Sequence, residues 1–122
     1  MDSISKVINY INVNVPFTST AKYGKHTKYY INNKIFAILY EGNNPHIILK
    51  ANGKFNIQFR KEFKTTVMPS YAINTYHWNM ILLDCEIPIE IIFKLIQLSY
   101  DEVVETMTKR QKDTYEHLLN IN

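Results

Sequence analysis

Apolar positions along the chain change period several times, and the changes mark the elements. Ile4, Val7, Ile8 and Ile11 follow the spacing of one helical face. Ser3 is placed to cap this helix and Pro16 to end it. Residues 17–26 keep no clear period and are expected to be loop or irregular strand. "TKYYINNKIFAILY" then holds two strand-like runs joined by Asn32-Asn33, and asparagine tolerates the left-handed backbone of a tight hairpin turn. "EGNNP" is the next turn. In the strand "HIILK", Ile47 and Leu49 share one face while His46, Ile48 and Lys50 share the other.

The helical period returns in "ANGKFNIQFRKEFK". Phe55, Phe59 and Phe63 form an aromatic stripe expected to face inward, with Lys54, Arg60, Lys61 and Lys64 outward. "TVMPSYAIN" and "HWNMILLD" have the composition of strands, and Pro69 suits an edge or bulge in the first. Pro88 opens a long helix whose Ile89, Ile92, Phe93, Ile96, Tyr100, Val103, Val104 and Met107 share one face. Thr108 with Gln111 has the form of a capping box, which predicts a last helix through Tyr115, Leu118 and Leu119.

This order predicts an α+β fold: an antiparallel sheet with helices packed on one face, as one domain over residues 1–122. Along the strand from His77, residues Trp78, Met80 and Leu82 point one way, and His77, Asn79, Ile81 and Leu83 the other. The tryptophan face is expected to lie under the long helix, which makes Trp78 a core anchor rather than a ligand platform.

Composition narrows the class. Hydrophobic residues at 46% and charged residues at 20% are ordinary for a globular domain. No apolar run approaches the roughly 20 residues of a membrane span, so no membrane partner is expected. The start "MDSISKVINYINVNV" has no signal-peptide pattern, and the single cysteine, Cys85, allows no internal disulfide. A cytoplasmic setting is the expectation. The net charge of +3 divides unevenly. Residues 1–64 carry ten Lys/Arg against three acids; residues 65–122 carry four against eight. The asymmetry is either a basic binding face or two ordinary solvated faces that differ.

"SYAINTYHWNMILLD" followed by "IPIEIIFKLIQLSYDEVVETMTKRQKD" resembles the MmcQ/YjbR family of small bacterial proteins. The matching positions are Tyr71, Asn74, His77, Trp78, Leu83, Asp84, Pro88, Ser99, Tyr100, Asp101, Val103 and Val104. "KYYINNKIFAILYE" is similar to the family's strand–turn–strand, with Asn33 where the glycine usually stands. The resemblance runs over residues 15–112 and implies a CyaY-like (frataxin-like) layout and the family's "double wing" DNA-binding label. The chain departs from the pattern at Ser70 and Ala72, in place of Gly and His, and at Thr75 and Tyr76, in place of basic residues.

Little in the chain points to catalysis. His26, His46, His77 and His117 lack ligand spacing, so no metal site is expected. Acids cluster on the long helix rather than the first, which speaks against frataxin-like iron binding. Cys85 lies between Asp84 and Glu86, which favours a half-buried structural thiol over a nucleophile. The three glycines form no phosphate loop, so no cofactor is expected. His77 and Asp84 fall on opposite faces of one strand and form no dyad. A non-enzymatic role remains, in one of two classes. In the first, Lys25, Lys28, Lys34, Lys54, Arg60, Lys61 and Lys64 contact DNA phosphates, and Tyr71, Tyr76 and His77 touch bases or sugars. In the second, the acidic helix face or a sheet edge binds a protein partner.

Overall fold

The computed structural model of the chain describes residues 2–71 and 73–106. They form three helices and one six-stranded antiparallel sheet, an α+β fold. α1 spans Ser3–Asn14. Its cap is Asp2, one position before the expected Ser3: the carboxylate accepts from the Ser5 N–H at 2.7 Å. That bond, made chiefly with backbone, pulls the Asp2 carboxyl below its ordinary value. β1 (Ser19–Tyr23), β2 (His26–Ile31), β3 (Lys34–Tyr40) and β4 (His46–Lys50) follow. Then come α2 (Gly53–Glu62), β5 (Val67–Pro69), β6 (Trp78–Leu82) and α3 (Ile89–Glu105). The strands lie in the order β1-β2-β3-β4-β6-β5. Met107, the Thr108–Gln111 capping box and the helix expected through Tyr115, Leu118 and Leu119 lie outside the described residues.

Two corrections concern strands. Residues 19–23 are regular strand, paired with β2 in a register that sets Ala21 opposite Lys28. Every β1 residue but Ala21 is exposed, so hydrogen bonding to β2 holds this strand without any burial period to betray it. The strand expected over "TVMPSYAIN" stops at Pro69, and residues 70–77 form a loop. The Asn32-Asn33 turn is as expected, with φ of +48° and +66°.

The helices share one face of the sheet. Leu39, Ile47, Ile81 and Val67 align across β3, β4, β6 and β5 on that face. They are buried with Val7 and Ile11 of α1, Phe59 of α2, and Ile92, Ile96 and Tyr100 of α3. Each such side chain, fully buried, contributes about 1.5–3 kcal/mol. The Phe55–Phe59–Phe63 stripe is inward only in part: Phe59 is buried, Phe63 partly so, and Phe55 is 40% exposed.

Trp78 is buried at 6% exposure, but not under the long helix. It belongs with Ile38, Ile48, Ile35 and Met80 to a second, smaller cluster on the opposite face. Alternation along β6 groups the side chains correctly and assigns the covered side wrongly. The reason is Asn79, a polar residue at 2% exposure that occupies the helix side because α2 supplies a partner for it.

β3 carries one extra residue. Tyr29 pairs with Ala37 and Tyr30 with Ile35, leaving Phe36 as a bulge. Phe36 and Ala37 therefore both reach the main core. The β3–β4 register ends at Ala37↔Leu49, and α3 continues it with a side chain. The fully buried Ser99 hydroxyl donates to the Phe36 carbonyl at 2.6 Å and accepts from the Lys50 N–H at 2.8 Å. The next residue of α3, Tyr100, donates its hydroxyl to the Pro16 carbonyl at 2.7 Å and ties α3 to the chain leaving α1. Among the described residues, no helix is long and apolar enough to cross a membrane.

Candidate nucleic-acid interface

The 70–77 loop and α2 form one unit, built from a buried polar network. Asn56 of α2 is 1% exposed and donates to the carbonyls of Ala51 at 3.3 Å and Tyr76 at 3.1 Å. Its own carbonyl oxygen accepts from Asn79 Nδ2 at 3.0 Å. Asn79 Oδ1 in turn accepts from Arg60 Nε at 2.6 Å. The Arg60 Nη2 donates to the carbonyls of Thr75 and Trp78. Within the loop, Asn74 Oδ1 accepts from the N–H groups of Tyr76 and His77, a local turn that asparagine favours. The Tyr76 ring lies on the Cα of Gly53, so closely that any Cβ there would overlap it.

These bonds correct the expected role of Arg60. It does not face outward for a phosphate; its guanidinium is committed to the Thr75 carbonyl of the loop and to the Trp78 carbonyl and Asn79 side chain of β6. Burial lowers its pKa from the ordinary value, against the opposing influence of Tyr71, and an arginine stays charged through such a shift. Arg60 thus fixes the loop to the helix. Asn56 and Asn79 were missed as site residues, because a sequence gives no sign that two asparagines on different elements will meet.

The loop presents its aromatic residues to solvent. Tyr71 is 85% exposed and Tyr76 49%, and the Tyr76 and His77 rings meet edge to face at 4.9 Å. Lys54, Lys61 and Lys64 are exposed along α2 and just past its end, with Glu62 among them. Six of the expected residues therefore share this region: Lys54, Lys61, Lys64, Tyr71, Tyr76 and His77.

The remaining lysines stand elsewhere. Lys25 sits in the β1–β2 turn, and Lys28 lies on the sheet face away from the helices, 5.0 Å from the Tyr23 ring centroid. β2 is four strands from β5, which α2 packs beside, a separation of roughly 19 Å at the usual strand spacing. Lys34 starts β3 at the opposite end of the sheet from Lys25. Sequence proximity grouped these residues; the strand order sets Lys25 and Lys28 apart from α2, while Lys34 lines a cleft with Ile73 of the loop. Cys85 is exposed rather than half-buried, because it falls in the bend after β6 instead of in the strand. Among the described residues, no three His, Cys, Asp or Glu side chains converge as metal ligands.

Comparison with known proteins agrees with the fold. Deinococcus radiodurans protein DR2400, a DUF419-domain protein of known crystal structure, superposes with a TM-score of 0.81 at 18% identity, over 93% of this chain and 88% of that one. A Pseudomonas syringae protein superposes with a TM-score of 0.68 at 22% identity, over 81% of this chain and 97% of its own. No curated protein is significantly similar to the chain. The YjbR family model matches residues 15–102, which takes in the sheet, α2 and most of α3, and the chain belongs to the YjbR family.

Proposed function

We propose that the protein is a non-catalytic nucleic-acid-binding module that works through α2 and the 70–77 loop. One observation carries this reading: the Asn56–Asn79–Arg60 network holds exposed aromatic residues beside an exposed basic helix. Lys54, Lys61 and Lys64 take phosphates, and Tyr71, Tyr76 and His77 offer ring faces to unpaired bases. Lys25 and Lys28 are not part of this surface. Binding to random sequence is expected with Kd on the order of 10⁻⁴–10⁻⁶ M at physiological salt, weakening as salt rises.

Fluorescence anisotropy with labelled single-stranded and duplex DNA tests the reading. K61E/K64E should weaken binding on every sequence alike, because phosphate contacts carry no base information. Y71A/Y76A should cost single-strand binding about 1–3 kcal/mol per lost stack and leave duplex binding nearly unchanged. No salt-sensitive binding at low ionic strength would end this reading. A protein-interaction module would then replace it, supported by the exposed outer edge of β1.

A further inference from the structure

On the sheet face away from the helices, one row of side chains runs across four strands. Tyr30 pairs with Ile35, and Lys50 pairs with Trp78. This row forms the floor of a cleft of about 340 Å³. Asn33 of the β2–β3 turn and Lys34 at the start of β3 make one wall, Ile73 of the 70–77 loop another, and Val103 and Thr106 at the end of α3 a third. The volume is at the small end of the range for a ligand site, enough for a ligand of nucleotide size and no larger.

The lining has two chemistries. Ile35, Ile73, Val103 and an edge of Trp78 are apolar. Lys34 and Lys50 are cationic, and among the described residues the one ion pair, Lys22 with Glu41, involves neither. Among the described residues no carboxylate lines the cleft beside these two lysines, and a bound anion would supply a counter-charge. Asn33, Tyr30 and Thr106 add groups able to hydrogen-bond a polar linker such as a sugar.

We propose that this cleft binds a small anion carrying a flat ring, of the size and chemistry of a nucleoside monophosphate. The ring lies against Ile35, Ile73 and Trp78, and the phosphate lies between Lys34 and Lys50. The end of α3 limits the charge. It is the negative end of a helix dipole, with Asp101, Glu102 and Glu105 in its last turns. A triphosphate is therefore disfavoured against a monophosphate. Ile73 belongs to the same loop as Tyr71 and Tyr76, but none of the α2 lysines lines the cleft, so K61E/K64E separates this site from the surface proposed above.

Trp78 is the only tryptophan, so its emission reports on this cleft directly. The test titrates the full chain with adenosine 5′-monophosphate, with benzoate as the source of ring and anion without a sugar, and with adenosine and inorganic phosphate as the two halves. Calorimetry provides a second readout. A saturable response to the monophosphate is expected, with adenosine and phosphate each at least about tenfold weaker, the loss of one charge-assisted contact. Benzoate binding as tightly as the monophosphate would keep the site and replace the nucleotide by an aromatic carboxylate. K34Q/K50Q should abolish the response. I73E, a change at a residue 43% exposed and so tolerated by the fold, should do the same by placing an anion in the wall. K61E/K64E should leave it intact. Emission indifferent to both ring-bearing anions, a response that survives K34Q/K50Q, or adenosine triphosphate binding more tightly than the monophosphate overturns the proposal.

Discussion

Ser99 replaces a main-chain partner at the point where the bulge at Phe36 interrupts the β3–β4 ladder. Its hydroxyl serves one donor and one acceptor, both from backbone and both shielded by α3. Ser99→Ala leaves the Lys50 N–H and the Phe36 carbonyl unmatched, and should cost about 1–3 kcal/mol in chemical denaturation. His46 offers a second test at this scale. Its ring stacks on Tyr40 at 4.9 Å and faces His26 at 6.5 Å. Burial lowers its pKa below 6.5, His26 adds to this, and the Asn44 carbonyl opposes it. The fold thus favours the neutral ring, and the unfolded chain takes up the proton first. This contribution to stability is complete above pH 6.5 and is lost as pH falls below it. Denaturation of H46Q across that range should follow a flatter curve than the native protein.

The elements differ in how plainly the sequence announces them. α3 is legible because its apolar positions keep one period and Pro88 marks its start. The β2–β3 hairpin is legible because Asn32-Asn33 leaves few other backbone options. Asn33→Gly should hold or slightly raise thermal stability, whereas Asn33→Val should cost about 1–2 kcal/mol, since a branched residue resists that backbone region. β1 is illegible because a solvent-facing strand needs no alternation. The 70–77 loop misleads because Tyr71 and Ile73 have strand composition but are exposed on a turn built by Asn74. Arg60 misleads for a related reason: charge predicts solvent, and three oxygen acceptors from the β6 side outweighed that rule.

Across the whole molecule, the excess of basic residues in the first half does not become one face. The strand order sets Lys25 and Lys28 apart from the lysines of α2, so the two groups should act independently. K25E/K28E should leave DNA affinity near the native value, and K61E/K64E, with the same change in net charge, should reduce it sharply. Equal losses from both pairs would point to general charge rather than a located surface. The strand order has one more result. Among the described residues, β1 ends the sheet with a five-residue strand whose outer edge pairs with no other strand, while β5 ends it with three residues, the last of them Pro69. A proline has no N–H to offer a neighbour, and so short a strand gives little to pair with. Lateral growth therefore has a single terminus: two copies joined edge to edge through β1 use it up, and the assembly closes as a pair instead of lengthening into a fibre.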